Sequence, residues 1–169
     1  FIGWFWEIFV YWFNHGMENN IFSLIHDLRG VLHGPWVPIY GFGCLFILIL
    51  HKYFSSHPIW FFTAIVFTCS ILEYTTSWVL AQLFHARWWD YSTKFLNLHG
   101  RIYLGGILFF GFMGILISYL FVPFLKRRFS HFSLWTKAGL CMVCITFFLI
   151  DMFISMNNPN LGIGVRTLN

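Results

Sequence analysis

The sequence predicts an all-α protein, a bundle of transmembrane helices, from its composition and from the grouping of its apolar residues. Hydrophobic residues make up 59% of the 169 residues and charged residues 9%, whereas about 25% of a soluble domain is charged. So few charged side chains cannot cover the surface of a globule of this size in water. The apolar residues also fall into runs close to the roughly 20 residues that a helix needs to cross a bilayer. We therefore expect a single transmembrane domain over residues 1–169.

Five apolar runs are candidate spans by hydropathy. The first, Phe1–Phe13, is shorter than a bilayer requires, so we expect it to be part of a longer helix that has been truncated. The other four are Trp36–Phe54, Pro58–Phe84, Ile102–Leu125 and Ala138–Met156. None of these runs alternates polar and apolar residues in the way a half-buried strand does. The prediction is a polytopic bundle of about five helices.

Six glycines in these runs mark faces on which neighbouring helices can approach closely, because a residue without a side chain lets two backbones meet. They are Gly41, Gly43, Gly105, Gly106, Gly111 and Gly114.

We expect neither a metal site nor a cofactor. The four cysteines fall inside apolar runs, where they behave as small hydrophobic side chains, and the CxxC of Cys141 and Cys144 lacks a second pair of ligands. The spacing of His33, His85 and Asp90 fits no standard zinc pattern. The chain also has no GxxxxGK[ST] phosphate loop and no GxSxG nucleophile motif, so we expect no ATP hydrolysis by this chain itself.

The connecting loops are of two kinds, which predicts the topology. His51–His57 and Lys126–Lys137 are short and plain, whereas His15–Pro35 and His85–Arg101 are long and rich in polar and aromatic residues. Helix parity places each kind on its own side of the membrane. The basic cluster that opens the Lys126–Lys137 loop is typical of a cytoplasmic loop, so the elaborate loops and the C-terminus should face outward. The net charge of +4 indicates topology and anionic headgroups rather than nucleic acid.

Three acidic residues lie inside the predicted spans: Glu7, Glu73 and Asp151. An ionised carboxylate at mid-bilayer costs about 2.5–3.5 kcal/mol on insertion scales, so such groups usually face a partner or a cavity. Helical spacing places Glu73 and Ser77 on one face, with Tyr74 beside them. Glu73 is either a functional group or a protonated side chain that bonds a neighbouring helix. Asp151 lies near a helix end, where it could simply reach the interface.

The loop before the second span is expected to hold polar side chains at the mouth of the bundle. Pro35 and Pro38 prevent a helix from starting before Trp36 and favour turns. Irregular backbone at membrane depth is tolerated only against protein or a water-filled cavity. Arg29 and His33 are therefore candidates for a polar site, and the alternative is a re-entrant turn that merely connects two helices.

The loop before the fourth span carries a second polar group. An interfacial belt explains its aromatic residues but not Asp90, Asn97 and Arg101, which supply an acceptor, an amide and a guanidinium. We expect Asp90 to form a charge-assisted hydrogen bond with Arg101 or Arg29.

Three ordered motifs in these regions resemble a known family. The segments Leu32–Gly41, Leu72–Trp78 and Arg87–Ser92 are similar to motifs of bacterial membrane proteins known as the putative ABC-transporter type IV family. Phe1–Glu7 also looks like the first helix of that family. The resemblance covers nearly all of the chain up to about Pro123.

The resemblance implies a permease subunit of an ABC transporter, with several spans in a bacterial plasma membrane. Its partners would be the lipid bilayer and a separate nucleotide-binding subunit, and a homo-oligomer is compatible with it. In this interpretation an outward-facing polar pocket binds a small or lipid-like substrate. The expected lining residues are Glu7, Arg29, His33, Tyr40, Glu73, Tyr74, His85, Asp90, Asn97 and Arg101.

Two alternatives stay open on the sequence. The first is an intramembrane enzyme that acts on a lipid or lipid-linked substrate, with Glu73, His85 or Asp90 as general acid or base. The second is a membrane partner or sensor that transports nothing and in which the polar residues only hold the helices together.

Overall fold

The predicted helical membrane bundle is confirmed by a computed structural model, which describes residues 1–14, 30–162 and 165–168. Within those residues the main elements are five helices: α1, Ile2–Asn14; α2, Pro38–Phe54; α3, Pro58–Phe84; α4, Leu104–Phe129, with a π-helical segment at Ile117–Phe121; and α5, Leu134–Asn157. By length and composition α3, α4 and α5 can each cross a membrane, whereas α2 is a shorter apolar helix. The expected number of spans is therefore approximate.

Local sequence explains where the helices begin and end. Pro38 and Pro58 open α2 and α3, positions where a fixed φ is favourable and no N–H is needed. Ser133 caps α5 by accepting a hydrogen bond from the Thr136 N–H at 3.1 Å. Helix α3 ends at Phe84, because the next residue, His85, has a φ of 49°, which breaks the helical geometry.

Helix α3 buries every fourth residue along its length, and these residues form what we call the α3 stripe. The stripe consists of Phe61, Ile65, Cys69, Glu73, Ser77 and Ala81. Residues four apart lie above one another on a helix, so the stripe forms one continuous face. Its first half packs with Ile47 of α2 in an apolar core. Its second half contains Glu73 and Ser77, so the face that forms the core at one end is polar at the other.

Helices α3 and α4 pack closely because α4 presents glycine to α3. Gly111 and Gly114 are buried. A methyl group added at Gly111 would lie 2.6 Å from the ring of Phe62, and one at Gly114 would lie 2.9 Å from Ile65. The sequence-based expectation of close helix approach is confirmed at these two glycines.

The other four glycines do not show so close an approach of two helices in the described chain. A methyl group at Gly41 would meet nothing within 4 Å, and one at Gly43 would only touch a side chain at 3.9 Å. At Gly105 and Gly106 the nearest atoms belong to Tyr103, which immediately precedes the same helix. Gly43 thus faces Leu72 of α3 at ordinary van der Waals distance, Gly41 has no such neighbour, and Gly105 and Gly106 leave room for the Tyr103 ring.

Four short strands organise one end of the bundle. They are β1, Ala86–Arg87; β2, Asn97–Leu98; β3, Ile102–Tyr103; and β4, Arg166–Thr167. Strand β1 pairs antiparallel with β4, and β2 pairs antiparallel with β3. The first pair brings the C-terminal segment onto the loop that follows α3. The second pair folds that loop back before α4 begins.

The described parts of the two elaborate loops lie at this end and are linked through Asn160, which follows α5. The Trp88 side chain donates to the carbonyl oxygen of Asn160 at 3.1 Å, and the Asn160 N–H donates to the carbonyl oxygen of Val31 at 3.1 Å. At the other end the Tyr119 hydroxyl donates to the carbonyl oxygen of Ser55 at 2.7 Å, which ties α4 to the plain loop after α2.

Helix α5 is almost entirely exposed along its length. Cys141 and Cys144 lie on its exposed surface, and Cys44 is exposed on α2, whereas Cys69 is buried in the α3 stripe. Of the four thiols, which the sequence indicates to be packing residues, Cys69 alone is packed inside the described chain.

The glycine contacts predict different effects of two alanine substitutions on thermal stability. Gly111→Ala should lower the midpoint of thermal unfolding, because overpacking a close contact costs about 1–3 kcal/mol. Gly139→Ala should leave the midpoint unchanged or raise it, because an added methyl group there meets nothing within 4 Å and alanine favours a helix by up to about 1 kcal/mol. Unfolding of the detergent-solubilised protein measures both. Equal shifts would contradict the close packing of α3 on α4.

Candidate functional site

Polar side chains from α1, α2, α3 and the loop between α3 and α4 meet inside the bundle. We call this group the polar cluster, and it consists of Glu7, Tyr40, Glu73, Ser77, Tyr91 and Arg101. The sequence predicted Glu7, Tyr40, Glu73 and Arg101 as pocket residues. The structure brings these four into one region.

The first part of the cluster joins α1 to α2. The Tyr40 hydroxyl donates to the Glu7 carboxylate. Gly3, one turn before Glu7, leaves room for the ring, since a methyl group there would overlap with the Tyr40 side chain. Trp4 and Ile8 are buried on the adjacent face of α1, about 100° around the helix from Gly3 and Glu7, and Val37 packs against them. Apolar packing on this face of α1 thus presents Glu7, on the adjacent face, to Tyr40.

The second part lies on the α3 stripe. Glu73 is 6% exposed, and the Tyr91 hydroxyl lies beside its carboxyl group. Glu73 therefore points into the bundle, as the sequence predicted. Burial, followed by the nearby charge of Glu73, raises the pKa of Tyr91, so its hydroxyl keeps its proton. The Tyr103 ring packs on Tyr91 with centroids 4.7 Å apart.

The third part is a buried guanidinium. Arg101 is 8% exposed, and its Nη1 donates to the Ser77 hydroxyl at 3.0 Å. Its guanidinium carbon lies 5.8 Å from the centroid of the Tyr74 ring, and the Trp89 side chain donates to its backbone carbonyl oxygen at 2.9 Å. In the described chain no carboxylate oxygen lies within ion-pair distance of this guanidinium.

The expected partner of Asp90 is corrected. Its Oδ2 accepts from Arg166 at 3.1 Å, and its Oδ1 accepts from the Ser92 N–H at 3.0 Å. The Ser92 amide first, and then the Ser92 hydroxyl and Arg166, hold the pKa of Asp90 below its usual value. A guanidinium does bond Asp90, as predicted, but it belongs to Arg166. The predicted pairing of Asp90 with Arg101 is therefore wrong. Arg29, the other predicted partner, lies outside the described residues.

The pairing of the strands explains why Asp90 bonds Arg166 rather than Arg101. Strand β4 pairs with β1 and places Arg166 opposite Arg87, three residues before Asp90. The turn between β2 and β3 contains Gly100 with φ 67°, and this turn sends the Arg101 side chain toward Ser77 instead.

Two other predicted pocket residues, Asn97 and His85, lie in the loop between α3 and α4. Asn97 donates to the carbonyl oxygens of Ser92 and Lys94 and accepts from the Gly100 N–H at 3.0 Å. Asn97 therefore stabilises the loop conformation. His85 is exposed at the end of α3.

Tyr74 lies at the edge of the cluster. Its hydroxyl is hydrogen-bonded to His99 Nδ1 at 2.9 Å, and its ring lies beneath Arg101. Tyr74 thus connects the polar cluster to the loop before α4.

His33 belongs to a separate group that fastens α5 to the segment before α2. The two carboxylate oxygens of Asp151 accept from the N–H groups of His33 at 3.2 Å and Gly34 at 2.8 Å. The Ser155 hydroxyl also donates to Asp151 at 3.2 Å. We call these four residues the α5 tether. Asp151, which the sequence allowed to reach the interface, instead bonds backbone 117 and 118 residues away.

The α5 tether contains serine, histidine and aspartate but does not have the geometry of a catalytic triad. In a triad the serine and the carboxylate lie on opposite nitrogens of the imidazole ring. Here Nδ1 of His33 lies 2.9 Å from the Ser155 hydroxyl and 3.8 Å from Asp151. Ser155 is also 1% exposed. The group holds two segments together and presents no nucleophile to a substrate.

The described residues contain no group of three His, Cys, Asp or Glu side chains that could hold a metal ion. Of the three residues considered for a metal on the sequence, His33 belongs to the α5 tether and Asp90 is paired with Arg166.

Sequence reasoning missed several residues that shape these sites. Tyr91 belongs to a run of aromatic residues that an interfacial belt explains equally well. Arg166 and Ser155 have no signal in the local sequence, because their partners lie 76 and 122 residues away.

The fold and the site define a helical membrane protein with a polar cluster buried among its helices. Residues 1–156 match the family model described as putative ABC-transporter type IV, so the chain belongs to that family. The match confirms the resemblance of the three motifs and extends it beyond Pro123 into α5. No curated protein and no solved structure matches the chain.

The α5 tether predicts a stability effect at Asp151. Asp151→Ala removes the acceptor of two backbone N–H groups and should lower the free energy of unfolding by about 1–3 kcal/mol. Asp151→Asn keeps one acceptor oxygen, so its effect should be intermediate. Cys144→Ala, on the exposed surface of the same helix, is the control and should change stability by less than about 0.5 kcal/mol. Denaturant unfolding in mixed micelles compares them, and an Asp151→Ala protein as stable as the control would contradict the tether.

Proposed function

We propose that this chain is the permease subunit of an ABC transporter in a bacterial plasma membrane and that the polar cluster binds its substrate. Family membership supports the class of transporter. The observation that carries the site is the burial of Glu73 and Arg101 among membrane helices, at 6% and 8% exposure. Charged groups at such positions are costly and commonly mark the pathway of a substrate.

A separate nucleotide-binding subunit supplies the ATP hydrolysis, because the chain carries no phosphate-binding loop. In this proposal it docks on the side of the Lys126–Lys137 loop, which the positive-inside rule assigns to the cytoplasm. A groove lined by Phe124, Arg127, Arg128 and His131 opens there. The polar cluster lies toward the opposite end, which supports an outward-facing substrate site.

The intramembrane-enzyme alternative has less support. Of its three candidate acid–base groups, Asp90 is tied to Arg166 and its pKa is lowered, so it stays ionised at neutral pH and cannot donate a proton. His85 is exposed at the end of α3. Glu73 alone has the buried setting that general acid–base catalysis commonly uses.

The proposed orientation is tested by labelling in intact cells. With the native cysteines replaced, Ser92→Cys should react with a membrane-impermeant maleimide added outside, and Ser130→Cys should react only after permeabilisation. Both serines are exposed, so burial does not limit the reaction. Labelling of Ser130→Cys but not of Ser92→Cys would reverse the orientation. Labelling of both would contradict the topology.

The role of Glu73 is tested by Glu73→Gln, which keeps the volume and most of the hydrogen bonding but removes the charge. The chain is purified with the nucleotide-binding subunit that accompanies it, and ATP hydrolysis is measured in liposomes. We expect assembly and thermal stability close to wild type. Hydrolysis should fall by roughly tenfold or more, because one charged hydrogen bond is worth about 1.5–3 kcal/mol.

Gln82→Ala is the matched control, because Gln82 is exposed on the same helix. It should hydrolyse ATP at the wild-type rate. ATP hydrolysis at the wild-type rate by Glu73→Gln would indicate that the polar cluster only holds the helices together. Failure of the wild-type chain to assemble with a nucleotide-binding subunit would overturn the permease proposal itself.

A further inference from the structure

We infer that the C-terminal end of α4 binds the headgroup of an anionic phospholipid. The site is the groove lined by Phe124, Arg127, Arg128 and His131, which we call the α4 groove. The inference goes beyond the proposed function and does not depend on it, because it concerns neither transport nor the polar cluster. Three observations carry it: positive charge without an acidic partner, the order of apolar and cationic side chains along the groove, and the aromatic residues beside it.

The four lining residues lie on one face at the end of α4. They are spaced i, i+3, i+4 and i+7 in the sequence, which places their side chains beside one another on a helical surface. The helix ends at Phe129, and the next residue continues the turn, since the Ser130 N–H donates to the carbonyl oxygen of Arg127 at 3.4 Å. All four lining side chains are exposed. The groove therefore presents a cationic surface to the surroundings of the protein.

The cations of the α4 groove have no acidic partner. The sequence contains no Asp or Glu between Asp90 and Asp151, so α4, the loop after it and most of α5 contain no carboxylate. Neither ion pair of the described chain involves a groove residue. The end of a helix also attracts cations, but its partial charge is only about half a unit, whereas Lys126, Arg127 and Arg128 each carry a full charge. Most of this charge is therefore available to an anion from outside the chain.

The order of side chains along the groove matches the order of groups in a phospholipid. Phe124 lies four residues before Arg128, a helix rise of about 6 Å, and His131 lies farther from the apolar span. Leu120, one turn deeper than Phe124, is 65% exposed, and Phe124 is 61% exposed. Acyl chains can therefore lie against apolar side chains while the phosphate reaches the cations. Neither a free phosphate nor an acidic protein surface would cover the apolar half of this face.

Aromatic side chains beside the groove indicate that it lies at the boundary between lipid and water. Trp135 is 87% exposed, and Phe129 and Phe132 are 44% and 45% exposed, with ring centroids 5.5 Å apart. Tryptophan is enriched at the depth of the lipid headgroups. A guanidinium at that depth meets phosphate groups, whose oxygens match its fork of N–H donors.

The net charge of the lipid follows from the composition of the groove. Phosphatidylcholine carries a quaternary ammonium group that balances its phosphate, and no carboxylate lines the groove to receive that group. Phosphatidylglycerol carries the phosphate charge alone. Each Lys or Arg near an anionic membrane surface contributes roughly fivefold in affinity. The anionic lipid is therefore the preferred ligand.

The test titrates the full chain in detergent micelles with phospholipids of identical acyl chains and counts the bound lipids by native mass spectrometry. Phosphatidylglycerol is the anionic probe and phosphatidylcholine the zwitterionic one. We expect the first phosphatidylglycerol to bind roughly tenfold or more tightly than the first phosphatidylcholine. Equal affinities would overturn the inference. This comparison uses the wild-type chain, so it stands even where a variant fails to fold.

Glycerol 1-phosphate is the soluble probe, because it carries the phosphate without acyl chains. We expect it to leave phosphatidylglycerol bound when both are present at equal concentration. Displacement of the lipid at that concentration would identify a free phosphate as the ligand and overturn the lipid source.

Single charge removals locate the site. Arg128→Gln should lower the affinity for phosphatidylglycerol by roughly fivefold and leave that for phosphatidylcholine unchanged. Lys52→Gln is the matched control, because Lys52 is exposed in the last turn of α2 but does not line the groove. It removes the same charge and should bind phosphatidylglycerol like wild type. Equal affinities of the two variants would mean that the lipid is attracted by net charge alone, and the groove would be refuted.

A second pair of variants tests the apolar half. Phe124→Ala should weaken the binding of phosphatidylglycerol by roughly threefold or more, because it removes apolar surface that the acyl chains cover. Phe153→Ala is the control, since Phe153 is 74% exposed on α5 and does not line the groove. Losses no larger in Phe124→Ala than in Phe153→Ala would leave a purely electrostatic surface. An acidic protein partner would then fit the groove better than a phospholipid, and the inference would be overturned.

Discussion

The burial of one face of α3 is the constraint on which the rest of the structure depends. The stripe from Phe61 to Ala81 repeats every four residues, whereas an α-helix turns once in about 3.6. Each step of four residues therefore turns about 40° past a full turn, and five steps turn the face by about 200°. The first half of the stripe can thus pack with α2, while the second half faces different neighbours. A single helix supplies both the apolar core and the wall of the polar cluster.

The glycines of α4 follow from the same constraint. Phe61 and Ile65 are fully buried, because α2 packs on this part of α3 and α4 approaches it closely at Gly111 and Gly114. With the apolar half fixed in this way, the loop after α3 starts at a defined place. Tyr91 and Arg101 are then carried back over the polar half. Packing at one end of α3 sets the geometry of the site at the other.

Sequence reasoning succeeded where a property is local and failed where it depends on distant pairing. Hydropathy located every helix to within a few residues, and the isolation of Glu73 in an apolar run predicted that it faces inward. The partner of Asp90 could not be found in this way, because strand β4 delivers Arg166 from 76 residues away. Closeness in sequence suggested Arg101, but the turn at Gly100 sends that side chain to Ser77. The periodicity of a single sequence does not show which distant segments pair.

The contrast between Asp151 and Arg101 shows why the sequence alone could not divide structural charges from functional ones. Both are charged residues at the edge of an apolar run. Asp151 accepts hydrogen bonds from two backbone N–H groups and from Ser155, so the fold itself uses its charge. Arg101 gives one hydrogen bond to a neutral hydroxyl. A charge without a partner is costly in surroundings of low polarity. A fold keeps such a charge only where another interaction offsets that free-energy cost. The number of hydrogen-bonding groups that the described chain leaves unfilled therefore separates Arg101 from Asp151, and a single sequence does not give that number.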